Sequence, residues 1–148
     1  MARSLAVKVP TASLIALVEE KIATIKEAVA TYPADVKKYE ADHKAWQNSL
    51  VSHAIKALTE NPEMIGDGYD KTIRVSVGYN GGVDVRFDST ALGFPTAPKK
   101  PEDPNSARSF GRDYAKPLEM LEKTLRVLKL TAQEEVNAST YSSVMDLL

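Results

Sequence analysis

The chain has 148 residues, of which 43% are hydrophobic and 26% are charged, values typical of a folded globular protein. Its 19 basic and 20 acidic side chains give a net charge of −1, whereas a dedicated nucleic-acid-binding protein usually has a clear basic excess. The absence of cysteine from the sequence excludes disulfides, thiolate metal sites and a cysteine nucleophile, and it fits a reducing compartment. We therefore expect a single domain over residues 1–148.

The N-terminal segment does not predict a signal peptide, because Lys8 and Pro10 keep its apolar run too short. No stretch of the sequence approaches the roughly 18 consecutive apolar residues of a membrane span. We therefore expect a soluble, cytoplasmic protein that does not bind a membrane.

Residues 11–61 have the spacing of a helix. Apolar, aromatic and histidine residues recur at alternating steps of three and four, and we refer to them as the seam: Ile15, Val18, Ile22, Ile25, Val29, Tyr32, Val36, Tyr39, His43, Trp46, Leu50 and His53. This repeat averages about 3.5 residues, the period of a coiled-coil seam, whereas an isolated amphipathic helix follows 3.6. Thr11 or Ser13 can cap the start, and Asn61-Pro62 ends the segment.

Pro33 leaves two alternatives for this segment. A proline inside a helix removes one hydrogen bond and costs about 3 kcal/mol, and the sequence around Pro33 also suits the first turn of a new helix. Two helices would follow from a break at this point. Two helices is the simpler interpretation, but the seam keeps its phase across Pro33, so one continuous or kinked helix of about 75 Å is a serious competitor.

A β-hairpin is predicted over residues 72–88, where two alternating stretches flank Asn80-Gly81-Gly82. A three-residue loop with Gly82 in the left-handed conformation places apolar residues opposite one another, whereas a two-residue loop mixes the two faces. The expected pairs are Tyr79 with Val83, Val77 with Val85, Val75 with Phe87, Arg74 with Asp88 and Ser76 with Arg86.

The proline-rich residues 89–112 are predicted to form an extended surface loop. A helical or mixed region follows over residues 113–148, in which Pro117 suits the first turn of an amphipathic helix. The leucine face of this helix is expected to cover one face of the hairpin. The leucines are Leu118, Leu121, Leu125 and Leu128, and the hairpin residues are Val75, Val77, Val85 and Phe87.

The C-terminal tail has two interpretations. Thr131-Ala132-Gln133-Glu134 matches a capping box that could open a helix. Alternatively, residues 135–139 form a short third strand beside the hairpin, followed by a helix from Tyr141 with Thr140 as its cap. We favour the strand, because a two-stranded hairpin alone is marginally stable in water.

No motif of catalysis, cofactor binding or metal binding is found in the sequence. The only two histidines, His43 and His53, would lie roughly 80° and about 15 Å apart on one helix, so they cannot share a metal ion there. Tyr32, Tyr39 and Trp46 recur at successive sevens, a row that is typical of a core or an oligomer interface. We expect no enzyme and no cofactor.

The proline-rich loop offers one alternative site. Lys99, Lys100, Arg108 and Arg112 are interleaved with aromatic residues, the combination that single-stranded nucleic acid binds. Glu102, Asp103 and Asp113 offset much of this charge. A solvated loop is therefore favoured over a nucleic-acid site.

Two stretches carry a resemblance to a known group of proteins. One is the Ala/Lys/Glu-rich segment with Tyr32-Pro33 and Lys38-Tyr39-Glu40, which leads to Ala45-Trp46 and Asn61-Pro62. The other is the leucine run from Leu118 to Leu130-Thr131, followed by Glu135-Val136, Ser139, Tyr141 and Leu147-Leu148. In these stretches the sequence resembles small accessory proteins encoded by actinobacterial phages. The resemblance implies a bacterial host cytoplasm as the context, and it carries over no site residue.

Together these patterns predict an α+β protein with a long or broken N-terminal helix, a β-hairpin and a C-terminal amphipathic helix. The leading functional hypothesis is a non-catalytic interaction protein that forms a homodimer and binds a host or phage protein. Its expected interface is Ile22, Ile25, Val29, Tyr32, Val36, Tyr39, Trp46 and Leu50. The alternative is a nucleic-acid-binding regulator that uses the basic loop and the basic side of the C-terminal helix.

Overall fold

The computed structural model describes residues 9–131 and 134–148. In chain order its helices and strands are β1 Val9–Pro10, α1 Thr11–Glu60, β2 Ile65–Gly66, β3 Ile73–Val77, β4 Val83–Phe87, β5 Arg108–Phe110, β6 Asp113–Ala115, α2 Pro117–Leu130, β7 Glu135–Val136 and α3 Ala138–Met145, with a short 3-10 helix at Pro62–Met64. The predicted α+β class is confirmed. Two compact units divide the described chain, one with residues up to Asp35 and from Pro101 onward, the other with residues 36–100.

Helix α1 is continuous, so of the two alternatives for Pro33 the unbroken helix is the one that forms. It spans 50 residues with Pro33 in its interior, and it ends at Glu60, directly before Asn61-Pro62 as the sequence predicts. The missing N–H of Pro33 leaves the carbonyl of Val29 without its helical donor. Because Pro33 and Val29 are both exposed, water can satisfy that carbonyl.

The first unit has a core between the first half of α1 and the C-terminal elements. The largest fully buried side chains in it are Leu14, Val18 and Leu121. The full buried cluster is Leu14, Val18, Ile22, Ile25, Leu121, Leu128, Val136, Val144 and Leu147. Two ion pairs flank α1 and α2, Lys26–Glu122 at 3.0 Å and Lys129–Glu19 at 2.6 Å, and their order along the chain makes the two helices antiparallel.

The predicted partner of the leucine face is therefore wrong. Leu121 and Leu128 are buried against α1, and Leu118 and Leu125 pack at the edge of the same cluster. Of the hairpin residues that we expected to be covered, Val77 and Val85 are exposed, by 73% and 41%, whereas Val75 and Phe87 are half-buried. Both partners are apolar surfaces, and the sequence pattern alone does not distinguish one from the other.

The C-terminal strand exists, but its extent and its partner differ from the prediction. β7 covers Glu135–Val136 and pairs antiparallel with β1, with Val9 opposite Val136. The cap of α3 is Asn137, whose side-chain oxygen accepts a hydrogen bond from the Thr140 backbone N–H at 2.8 Å, so the predicted cap Thr140 lies inside the helix. Thr131 closes α2, and the middle of the proposed capping box, residues 132–133, lies outside the described residues.

A small hairpin lies in a region for which the sequence predicted a loop. β5 and β6 pair antiparallel, with Ser109 opposite Tyr114. Gly111 occupies the turn with a φ of +65°, a conformation that costs glycine little. The strands are only three residues long, which is too short for an alternating pattern to identify them.

The second unit contains a three-stranded sheet in the order β2–β3–β4. β2 pairs parallel with β3 and supplies the third strand that the hairpin was expected to need. β3 and β4 pair antiparallel in the register Ile73–Phe87, Arg74–Arg86, Val75–Val85, Ser76–Asp84 and Val77–Val83. The hairpin is confirmed, but every predicted pair is displaced by two residues.

The turn explains the displacement. The three-residue loop is Tyr79-Asn80-Gly81, because the Gly78 N–H donates to the Gly82 carbonyl at 2.6 Å and the Gly81 N–H donates to the Gly78 carbonyl at 2.9 Å. Gly81, with a φ of +78°, takes the left-handed position that we assigned to Gly82. A shift of two residues keeps every side chain on its face, so the alternating pattern fits both registers equally.

We expect Leu121→Ala to lower the free energy of unfolding by about 2–5 kcal/mol, because it removes buried surface and leaves a cavity. Leu121 is 1% exposed, whereas Leu130 on the same helix is 85% exposed. Leu130→Ala is thus a matched control, with an expected change below about 0.5 kcal/mol. Urea unfolding followed by circular dichroism measures both variants. Equal losses in the two would contradict the burial assigned to α2.

Candidate interaction site

An aromatic ladder lies along the second half of α1. The ring centroids of Tyr39 and His43 are 5.4 Å apart, and those of His43 and Trp46 are 5.2 Å apart. The spacing of four and three residues puts the three rings on one helical face. Two members of the predicted aromatic row, Tyr39 and Trp46, are therefore brought together, with His43 between them.

Trp46 also ties the proline-rich segment to α1. Its indole Nε1–H donates a hydrogen bond to the Pro95 carbonyl at 2.8 Å, across a separation of 49 residues. An aromatic side chain that donates to the carbonyl of a proline-rich segment is the contact by which many domains bind polyproline peptides. Here both partners belong to one chain.

A second group of rings holds the residue before Pro95. The Phe94 ring lies 5.7 Å from the ring of His53 and 5.3 Å from the ring of Phe87. His53 Nδ1 lies 2.8 Å from the Ser49 carbonyl, which can only accept, so Nδ1 carries a proton. Phe94 therefore connects α1 to the sheet through β4.

These contacts border an apolar groove of about 590 Å³ in the second unit. Its α1 wall includes Trp46, Leu50 and Val51, and its other wall includes Phe94 and Pro95. Val51 and Ile55 on the same helix are 60% and 61% exposed. The groove therefore continues into an uncovered apolar stripe of α1.

The prolines of this region follow a three-residue period that the sequence analysis missed. In the second unit Pro95 and Pro98 are half-buried, while Thr96, Ala97, Lys99 and Lys100 are exposed. In the first unit Pro101 and Pro104 repeat the pattern. A three-residue spacing matches the three residues per turn of a polyproline II helix, and this spacing was the sequence signal for the half-buried positions of the four prolines.

The predicted interface residues fall into two groups. Ile22 and Ile25, 7% and 8% exposed, belong to the buried cluster of the first unit, and this burial removes them from an interface with another chain. The other predicted residues keep accessible surface: Val29 is exposed, and Tyr32, Val36, Tyr39, Trp46 and Leu50 are half-buried.

The residues of the nucleic-acid alternative do not form one cluster within either unit. Lys99 and Lys100 belong to the second unit, and Arg108 and Arg112 belong to the first. All four are exposed. The Arg108 guanidinium lies over the Phe110 ring at 4.9 Å from its centroid, a cation–π contact.

The first unit contains another groove, of about 760 Å³, lined by residues of the β5–β6 hairpin, α2 and α3. Phe110, Met120 and Val127 provide apolar surface, and Ser139, Thr140 and Ser143 provide hydroxyls. Across residues 9–131 and 134–148, no group of three or more His, Asp or Glu side chains could hold a metal ion. None of the helices described is long and apolar enough to cross a membrane.

We expect Trp46→Phe to release the Pro95 segment, because the Pro95 carbonyl loses its donor while the ring is retained. The expected loss of stability is about 1 kcal/mol, accompanied by faster trypsin cleavage after Lys99. Tyr39→Phe is the matched control, since the Tyr39 hydroxyl makes no hydrogen bond within the described chain. Identical cleavage rates in the two variants would contradict the role of the indole.

Comparisons with known proteins add no function to this geometry. The chain matches no protein-family model, no curated protein and no solved structure. The case for a function therefore depends on the contacts and exposed surfaces of the chain itself.

Proposed function

We propose that the chain is a non-catalytic protein–protein interaction protein that forms a homodimer through the seam of α1. The seam residues that carry the interaction are those beyond the core of the first unit. They are Val29, Tyr32, Val36 and Tyr39, continued by Trp46 and Leu50.

The observation that carries this proposal is the continuity of α1 over 50 residues. A repeat of 3.5 residues keeps one stripe of a helix facing a partner helix. In the first unit α2 covers this stripe, but the buried cluster includes seam residues only up to Ile25. Val29, one turn later, is 37% exposed. The core of the first unit therefore accounts for the seam only up to Ile25, and the 3.5-residue repeat continues for several helical turns beyond it.

The chemistry of the continuing stripe suits a partner helix. Val29 and Val36 occupy equivalent positions seven residues apart, and Tyr32 and Tyr39 occupy the other seam position. Branched aliphatic side chains at the first position pack well in two-stranded coiled coils. A tyrosine buries on the order of 150–250 Å² when it is covered, so the two tyrosines supply most of the apolar area.

The charged residues that flank the seam between Val29 and Leu50 are all acidic. Asp35, Glu40 and Asp42 lie next to the seam in the heptad, at the positions that face a partner helix. Among the described residues, Asp42 is the one of these three acids that forms an ion pair within 4.0 Å, with Lys38 at 3.7 Å. Two copies of the seam would bring these acids together, so association has an electrostatic cost that dissolved salt reduces.

We expect the double variant V29E/V36E to halve the mass measured by light scattering after size exclusion, because buried carboxylates would oppose the seam contact. A34E/A41E is the matched control. It places the same charges on the outer side of α1, where Ala34 and Ala41 are exposed, and it should leave the mass unchanged. Circular dichroism verifies that both variants keep their helices. A monomeric unsubstituted chain, or equal effects of the two variants, would rule out the seam as an interface.

The salt dependence separates self-association from the nucleic-acid alternative. We expect the dimer fraction to rise between 50 mM and 500 mM NaCl, since salt screens the acidic flanks of the seam. Binding to single-stranded nucleic acid would fall steeply over the same range, because it releases condensed counterions. Sedimentation equilibrium measures the dimer fraction, and fluorescence anisotropy of a labelled oligonucleotide measures nucleic-acid binding. Association that V29E/V36E abolishes but that weakens as salt increases would contradict the proposed seam contact.

A further inference from the structure

β4 is an edge strand of the sheet in the second unit. The strand order is β2–β3–β4, so β3 occupies one side of β4 and the other side has no strand along it among the described residues. An edge strand presents unpaired N–H and C=O groups on which another strand can pair.

The backbone hydrogen bonds to β3 determine which N–H and C=O groups of β4 point toward this open edge. The Gly78 N–H donates to the Gly82 carbonyl, and the Asp88 N–H donates to the Thr72 carbonyl at 2.8 Å. Hydrogen-bonded pairs alternate with non-hydrogen-bonded pairs in an antiparallel ladder. The even-numbered residues of β4 therefore bond to β3, and the N–H and C=O groups of Val83, Val85 and Phe87 point outward.

The side chains of β4 separate into two faces. Val83 and Val85, exposed by 62% and 41%, lie on one face. Asp84 and Arg86 lie on the other face, are exposed, and make no ion pair with the described residues within 4.0 Å. Arg86 lies directly opposite Arg74 in the sheet. Like charges at directly opposed positions are destabilising, so the residue opposite Arg86 in the sheet is an unfavourable partner, and Arg86 forms no ion pair within the part of the chain that the structure describes.

We propose that β4 pairs antiparallel with β4 of a second copy of this chain, about a two-fold axis at Val85. The outward N–H and C=O groups of Val85 bond to those of the same residue in the other copy, and Val83 pairs with Phe87. Asp84 then lies opposite Arg86 of the other copy, twice by symmetry. These are non-hydrogen-bonded pairs, in which the Cα atoms are about 4.5 Å apart and the side chains are closest.

The charges select this register among those that the outward groups allow. If the two β4 strands were shifted so that Val85 paired with Val83, Asp84 would lie opposite Asp84 of the second copy. A shift in the other direction would place Arg86 opposite Arg86. Both alternatives bring like charges together, whereas the pairing centred on Val85 joins opposite charges and places a carboxylate directly opposite Arg86, where its own sheet places Arg74. The edge is thus complementary to itself, which identifies a second copy as its partner.

This surface goes beyond the proposed function, because it uses residues 83–87 and not the seam of α1. A contact about a two-fold axis joins the same patch on both copies and closes as a pair. Two different contacts of this kind in one chain build an assembly larger than a dimer. The β4 contact can therefore be tested with the seam either intact or disabled.

The test is a charge-complementation experiment in the full chain, in both the unsubstituted and the V29E/V36E background. In the proposed dimer, position 84 of each copy faces position 86 of the other. D84R makes both of these pairs basic, and R86D makes both acidic. Each substitution should weaken the β4 contact at least about tenfold. An equimolar mixture of the D84R and R86D proteins restores two opposite-charge pairs and should recover the association. The double variant D84R/R86D should associate as the parent chain does. Sedimentation equilibrium measures all four.

Recovery in the mixture supports the pairing, because general destabilisation by either substitution would persist there. Association that is unchanged in D84R and R86D, or lost without recovery in the mixture, would overturn the proposal. If only the seam proposal is wrong, V29E/V36E will leave the mass unchanged. The substitutions at positions 84 and 86 will still weaken association.

Amide hydrogen exchange gives a second readout, which uses the unsubstituted chain and so does not depend on whether a variant folds. In the unsubstituted chain the N–H groups of Val83, Val85 and Phe87 should exchange more slowly as protein concentration rises. The N–H groups of Asp84 and Arg86, already bonded to β3, serve as the internal control. Exchange at Val83 and Val85 that does not depend on concentration would overturn the pairing.

Discussion

The continuity of α1 through Pro33 is the constraint on which the rest of the structure depends. The first half of the helix supplies Leu14, Val18, Ile22 and Ile25 to one core, and its second half supplies Trp46 and His53 to the other unit. Pro33 removes one hydrogen bond from the interior of this helix. A proline inside a helix costs about 3 kcal/mol in total, from the lost hydrogen bond and from the clash of its ring with the preceding turn, and the packing at the two ends of the helix compensates for this cost.

The sequence predicted the features that depend on local periodicity. It identified the helical segment and its end at Asn61-Pro62, the two faces of the hairpin and the start of α2 at Pro117, because spacing and proline geometry determine these. It left open whether Pro33 breaks the helical segment. It did not determine which surfaces meet. The leucines of α2 fit either α1 or the hairpin by hydrophobicity alone, and the Gly81-Gly82 pair permits two hairpin registers that differ by two residues. Such choices depend on tertiary contacts.

The candidate site was predicted only in part, for the same reason. Tyr39 and Trp46 were recognised as one row, but the bond from Trp46 to Pro95 joins residues 49 positions apart, and no local pattern indicates it. Ile22 and Ile25 were grouped with the interface because the seam repeat does not show where one partner ends and another begins. The mismatch of Arg74 and Arg86 required the observed register, since the predicted pairing placed Arg74 beside Asp88.

Trp46 has a consequence for how the protein can be observed. It is the only tryptophan in the chain, and its indole is half-buried beside His43 and bonded to Pro95. Indole emission shifts to longer wavelength when the ring gains contact with water. The wavelength of maximum tryptophan emission therefore reports whether Pro95 is in contact with α1. The chain thus carries its own optical probe of the second unit, and stopped-flow or titration experiments need no attached dye.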